Sequence, residues 1–438
     1  MKQLFFLLSF WLVFTQANAQ QKDYWQQRTD YTIDVSLDDS LNTLDGNLTL
    51  RYTNHSPDTL RYIWFHVWPN AYKNDKTAFC KQMLDNGNTR FYFSTDEERG
   101  YINRLQFTVD GKSAAITDHP EHQDIIKLML PSPLEPGASI TINTPFHEKL
   151  PYNFSRGGHI GNTYQITQWY PKPAVYDMSG WHEMPYLDQG EFYSEYGNFN
   201  VTIHLPATYQ LAATGNIISD SVSGFLRTVT YSQDSVHDFA WFADKNFSIA
   251  HDTLQLGNRT IDLYAYYHNS ESGHWKNGIL FMKRAILSKS GWIGDYPYNT
   301  VKVVESTKSG GGGMEYPTIC LIDKTEDARA LDNLINHEVG HNWFYGILGS
   351  NERDYPWMDE GMNSYYDKRY EQTYYPSGTI KNNFGKKMPD DFQNLLTESL
   401  CALKADQSIN TSSANFNAIN YNLIAYNKTA IWMKELEK

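Results

Sequence analysis

Asn336-His337-Glu338-Val339-Gly340-His341-Asn342-Trp343 is the stretch on which the reading of this 438-residue chain turns. It is a His-Glu-x-x-His pentad, and eighteen residues separate His341 from Glu360 in Trp357-Met358-Asp359-Glu360-Gly361. On a helix, residues four apart differ by only about 40° around the axis, so His337 and His341 aim their imidazoles at one point, with Glu338 about 100° or less from either. Two imidazoles and one carboxylate hold a divalent metal and leave a coordination position open, which separates a catalytic site from a closed structural one. Glu360 is the expected third ligand. Glu338, one residue from His337, is poorly placed to ligate the same ion and well placed to take a proton from an attacking water. For this composition a chance pentad with Glu at that further position is expected at roughly a few per thousand, so the pattern is read as a site and not as a solvated helix face.

Length and a 41% hydrophobic content are enough for two or three domains with a large core. The 37 Lys and Arg against 50 Asp and Glu give a formal charge of -13, which offers no basic footprint to a phosphate backbone, and no nucleic-acid partner is expected. The N-terminus has Lys2, an apolar run from Leu4 to Phe14, and small residues at Ala17 and Ala19, the layout of a cleavable secretory leader covering residues 1–19. Secretion or a periplasmic location is the expectation, with no transmembrane span in the mature chain, since no later run is long and apolar enough. Cys80, Cys320 and Cys401 lie far apart without metal spacing and allow at most one disulfide.

From Tyr31 to about Phe247 the pattern is that of short strands. Tyr31, Ile33, Val35 and Leu37 alternate with polar residues, as do Leu44, Gly46, Leu48, Leu50 and Tyr52, and Tyr62 to Trp68 reads as a strand covered on both faces. Leu105, Phe107 and Val109 alternate again, and Pro131-Ser132-Pro133 reads as a break after a strand at Ile125 to Leu130. After about His251 helical spacing takes over, first from Gly273 to Ser290. The strand Thr300 to Glu305 is expected at the edge beside the metal cleft, where an extended peptide could add to it. Thr325 is the expected cap of the histidine helix, Asp327 suits its first turn, and the helix is expected to run to about Tyr345. A second helix from Trp357 to Tyr370 would carry Glu360, and Leu423 to Lys438 is helical in pattern. The expected architecture is multidomain, β followed by α+β: an N-terminal β-sandwich or saddle domain over 20–250 and a catalytic domain over 251–438. Two polar and aromatic clusters, Gln168 to Lys172 and Asp188 to Phe192, could line a pocket from the β-rich side.

These motifs resemble the zinc aminopeptidase family typified by aminopeptidase N, the gluzincins with two histidines and a downstream glutamate. Gly312-Gly313-Met314-Glu315-Tyr316 resembles the family's Gly-x-Met-Glu-Asn exopeptidase motif, with Tyr316 where the family has Asn. Trp357 to Gly361 resembles its Trp-Leu-Asn-Glu-Gly segment, and Tyr426-Asn427-Lys428-Thr429-Ala430 resembles the stretch holding its catalytic tyrosine, with Thr429 replacing Gly. Asp295-Tyr296-Pro297-Tyr298 has the look of the family's entry to its catalytic sheet. The resemblance implies a thermolysin-like catalytic domain with one Zn2+ on His337, His341 and Glu360. It further implies Glu338 as acid–base, Tyr426 as stabiliser of the oxyanion, and Glu315 with Gly313 and Met314 as the substrate-binding segment. The implied substrates are peptides with a free N-terminus, whose ammonium Glu315 would bind. On this resemblance the given sequence is expected to lack the family's C-terminal helical domain, whether as a fragment or as a reduced form, and the residues leave the oligomeric state open. An endopeptidase or other zinc hydrolase on the same scaffold, or an inactive peptide-binding protein that keeps the fold, are the rival readings.

Overall fold

The computed structural model describes residues 24–268, 273–309, 312–376, 380–381, 387–388 and 392–438. The leader expected over 1–19 and the first two of the four glycines at Gly310 to Gly313 lie outside the described residues.

The alternating N-terminal segments form a long mixed sheet. Arg28–Asp38 pairs antiparallel with Thr43–Thr53 and parallel with Gly197–Pro206. Thr43–Thr53 continues to Ser139–Lys149, and Leu226–Val236 with Asn216–Ser223 extends the other side. Tyr31, Ile33, Val35 and Leu37 all face inward, as do Leu44, Leu48, Leu50 and Tyr52, because a period of two puts alternate side chains on one face. Leu60–His66 and Ile125–Leu134 form part of a second sheet packed on that face through Ile63, Phe65, Ile126 and Leu128. The strand expected to stop before Pro131 continues to Leu134. Tyr62 pairs with Met129 but Leu60 pairs with Leu134, so Pro131 and Pro133 sit in a bulge where they need not donate to the ladder. Of the alternating run Leu105 to Val109, only Thr108–Val109 is a strand.

The catalytic sheet has the order Phe247–Leu256, Arg259–His268, Thr300–Ser309, Ile319–Lys324, Gly313–Tyr316. Thr300–Ser309 is therefore internal, flanked by parallel neighbours on both sides, and the edge expected there belongs instead to Gly313–Tyr316. The hairpin from that edge turns on Pro317 and on Thr318, whose φ of 64° suits the second corner of a type II turn. Asn342 holds the turn by accepting from the Thr318 amide at 3.1 Å, which ties the edge strand to the residue after His341.

The histidine helix is Ala328–Gly340, capped by Asp327, whose carboxylate accepts from the Ala330 amide at 2.8 Å. Asp327, not Thr325, is thus the cap. The helix ends at Gly340, short of Tyr345, and His341 closes it. Gly278–Trp292 packs beside it, with buried Lys289 donating to the Asn336 carbonyl and side chain at 2.8 Å. Glu360 lies in a π-helical turn, Trp357–Gly361, that opens the α-helix Met362–Tyr374. A second π-helical stretch, Tyr421–Lys428, carries Tyr426 and continues into Thr429–Leu436. Such π-turns sit preferentially at functional sites. The two meet closely: a Cβ on Gly361 would run into the Thr429 side chain and the Ala425 carbonyl. Among the described residues no helix is long and apolar enough to cross a membrane.

Candidate active site

The expected ligands converge. His337 Nε2 and His341 Nε2 are 3.2 Å apart, and Glu360 Oε2 lies 3.3 Å from the first and 3.5 Å from the second. Ligands at 2.0–2.1 Å around a tetrahedral ion are separated by roughly 3.3–3.4 Å, so the triangle has the size a zinc ion needs. Glu360 Oε2 is also buried without a hydrogen-bond partner, an arrangement that is costly until a cation completes it.

Each histidine has its other nitrogen on a carboxylate. His337 Nδ1 is 2.6 Å from Asp367 Oδ2, and His341 Nδ1 is 2.5 Å from Asp359 Oδ1. These bonds orient the rings, leave Nε2 free to ligate and raise its basicity. Asp367 is steadied in turn by the Asn336 amide at 2.7 Å and by Lys289 at 3.5 Å. Burial opposes a charge on His337, but Asp367 and Glu360 outweigh it and lift its pKa well above the usual value. Asp359, Glu315 and Glu360 do the same for His341. Burial would raise Glu360, but the two histidines hold it far below the ordinary carboxylate range.

Asp359 and Asp367 were not singled out from the sequence. Asp367 stands seven residues after Glu360, two turns along one helix, and that spacing is the signal that could have found it. Asp359 adjoins Glu360 in sequence, where the resemblance would place Asn.

Glu338 is 3% exposed, and burial pushes its carboxyl up to about 7. Gly313 lies directly against it, because any Cβ there would strike the Glu338 carboxylate. Glu315, on the same edge strand, is buried, with a ligand-capable oxygen within 4.8 Å of those of Glu338 and His341. Met314 is buried and its sulfur accepts from Arg156 Nε at 3.2 Å. The Tyr426 hydroxyl is 2.5 Å from Glu360 Oε1, and its ring stacks on His337 with centroids 6.2 Å apart. Burial, then Glu360, raises the Tyr426 pKa well above its usual value, so the phenol stays a donor. All eight residues expected at the site are thereby gathered around one edge of the sheet.

Of the two β-side clusters, one reaches the site. Glu191 is buried, pairs with Arg156 Nη2 at 2.7 Å, and its charge acts on the carboxyls of Glu315, Glu338 and Asp359. The other is a structural network: Lys172 and Asp238 form a buried ion pair at 2.7 Å, joined by Gln168 and Tyr170.

Residues 285–438 match the model of the Peptidase family M1 domain. This stretch is a peptidase family M1 domain. It contains the pentad, Glu315, Glu360 and Tyr426, so the candidate metal triangle of His337, His341 and Glu360 lies within the matched residues. With this site the chain is a zinc peptidase holding one zinc ion. No curated protein matches the chain in sequence. Among solved structures, a mutant M1 zinc metallopeptidase from Deinococcus radiodurans is similar at a TM-score of 0.62 and 14% identity, covering 94% of this chain and 83% of that one. A structure of the same enzyme with a Tyr-Ser-Ala substrate has the same values. A two-domain M1 zinc metallopeptidase mutant bound to L-arginine also has a TM-score of 0.62 at 14% identity, with the same coverage of 94% and 83%. At that identity the likeness concerns the fold, and it extends over the β-rich part as well as the M1 domain.

Proposed function

We propose that this chain is an aminopeptidase that removes the first residue from peptides with a free N-terminus, and that the leader at 1–19 directs it to the periplasm or the exterior. The observation that carries the activity is the placing of Glu315. Its carboxylate is within 4.8 Å of the reactive ends of Glu338 and His341. One further residue between an anchored ammonium and the scissile bond would need about 3.3–3.6 Å more of chain. An amine bound at Glu315 thus presents the first peptide bond, and no later one, to the acid–base group.

Held by His337, His341 and Glu360, zinc supplies Lewis acidity toward the carbonyl and toward water, whose pKa such an ion lowers to about 7. Glu338 takes the proton of the attacking water and passes it to the leaving amine. Tyr426, kept protonated, donates to Glu360 Oε1 in this structure and would turn its one hydrogen to the oxygen on which charge develops once the carboxylate is engaged elsewhere. Asp359 and Asp367 keep the histidine rings aimed. The edge strand Gly313–Tyr316 offers main-chain groups to an extended substrate, the role first expected of Thr300 to Glu305.

The test is an aminoacyl reporter beside its N-acetylated twin. Acetylation removes the charge that Glu315 binds, and kcat/KM is expected to fall at least about 100-fold, the scale of a lost buried ionic hydrogen bond. Equal cleavage of both reporters would remove the role given to Glu315 and favour an endopeptidase.

A further inference from the structure

Away from the metal, a groove of about 760 Å³ opens where the β-rich part meets the M1 domain. Tyr196, Asn216 and Ser232 line it from the β-rich side, and Tyr298, Asn299 and Gly346 from the other. Its size falls within the roughly 300–1,000 Å³ of ligand clefts, which favour domain junctions. None of the residues gathered at the metal lines it, although one wall is the loop that leaves His341. There the Tyr196 hydroxyl donates to the Gly346 carbonyl at 2.9 Å, and the Gly346 amide donates to the His341 carbonyl at 2.8 Å.

The lining is polar and almost without charge. Asp234 is its one charged side chain, and it holds no lysine, arginine or histidine with which to grip a phosphate or carboxylate. The side chains of Gln26, Asn216, Ser232 and Asn299, and the Tyr298 hydroxyl, make no hydrogen bond among the described residues. Amides and hydroxyls each donate and accept, as the hydroxyls of a sugar do, so a ligand rich in hydroxyls can use every one of them. Two tyrosine rings add surface that is apolar on the face and polar at the tip. A peptide strand would call for pockets for alternate side chains, whereas the aliphatic lining is confined to Ile218, Pro297 and Ile347.

We propose that this groove binds a neutral oligosaccharide, at a site separate from the peptidase centre. Asn216 and Ser232 take its hydroxyls from one wall and Asn299 from the other, so the sugar bridges the β-rich part and the M1 domain.

The experiment applies the full, zinc-loaded chain to an array of short neutral oligosaccharides built from glucose, galactose, mannose and N-acetylglucosamine, and titrates the best binder by calorimetry. One saccharide is expected per chain, with a Kd below about 1 mM. Replacing two of the free amides together, Asn216→Ala with Asn299→Ala, is expected to weaken binding at least about tenfold. Ser232→Tyr, which puts a ring into the groove, is expected to abolish it. Zinc content is expected to stay at the wild-type value in both, since neither change touches the metal residues. No binder on the array, or a binder whose affinity both variants leave unchanged, overturns the proposal. So does tighter binding by acetyl-trialanine amide than by any saccharide, which would make the groove a peptide site. If a variant fails to fold, hydrogen exchange on the wild-type chain decides: the saccharide is expected to protect amides at 216–235 and 297–299, and protection elsewhere alone overturns the proposal.

Discussion

Glu338→Gln is expected to lower kcat on aminoacyl reporters by on the order of 10²–10⁴-fold while KM changes little and zinc stays bound. The change is nearly isosteric, so the close contact with Gly313 survives. Neither ligand nitrogen nor Glu360 is touched, and both histidines keep their carboxylate partners. What is lost is the capacity to take a proton from water and return it to the leaving amine, a capacity an amide lacks. Steady-state kinetics with elemental analysis of the same preparation checks both halves. Retained turnover would remove Glu338 from the mechanism, and loss of zinc would make it part of the metal's support instead.

Tyr426→Phe is expected to cost about 10²–10³-fold in kcat, the scale of one donor to a developing oxyanion, or about 2.7–4 kcal/mol. The ring stacked on His337 remains and only the hydroxyl goes. Since that hydroxyl also touches Glu360 Oε1, metal content is the necessary control. The distinguishing measurement is inhibition by a phosphinic peptide that mimics the tetrahedral state. Its affinity is expected to fall by a factor similar to the loss in kcat while KM for the substrate holds. A rise in KM with kcat unchanged would place Tyr426 in ordinary substrate binding.

The residues proposed to hold metal and substrate stand in local patterns of the sequence, and the structure brings them together. His337 and His341 share a helix face by spacing alone, and Glu360 and Glu315 stand in short motifs with glycines where close approach demands them. The alternation of Tyr31 to Tyr52 likewise foretold its sheet and its buried face. What escaped depended on distant parts of the chain. Strand order is a non-local property, so the edge was assigned to Thr300 to Glu305 although Ile319–Lys324 pairs outside it. The bulge that admits Pro131 and Pro133 exists only against Leu60 and Tyr62. The sequence reading passed over Asp367 and Glu352, and only packing brings the one to His337 and encloses the other. The early end of the histidine helix belongs to the same class. Apolar spacing continues through Phe344, yet a Cβ on Gly340 would strike Asn363 and Lys289, and the chain leaves through Tyr345 at a φ of 116°.

The account stands on one zinc ion held by His337, His341 and Glu360, and titrating the chelator-stripped chain with zinc tests it most directly. Peptidase activity is expected to vanish on stripping, to rise in proportion to added zinc, and to break sharply at one equivalent per chain. Activity that survives stripping, or a break only at two equivalents, would contradict the site described.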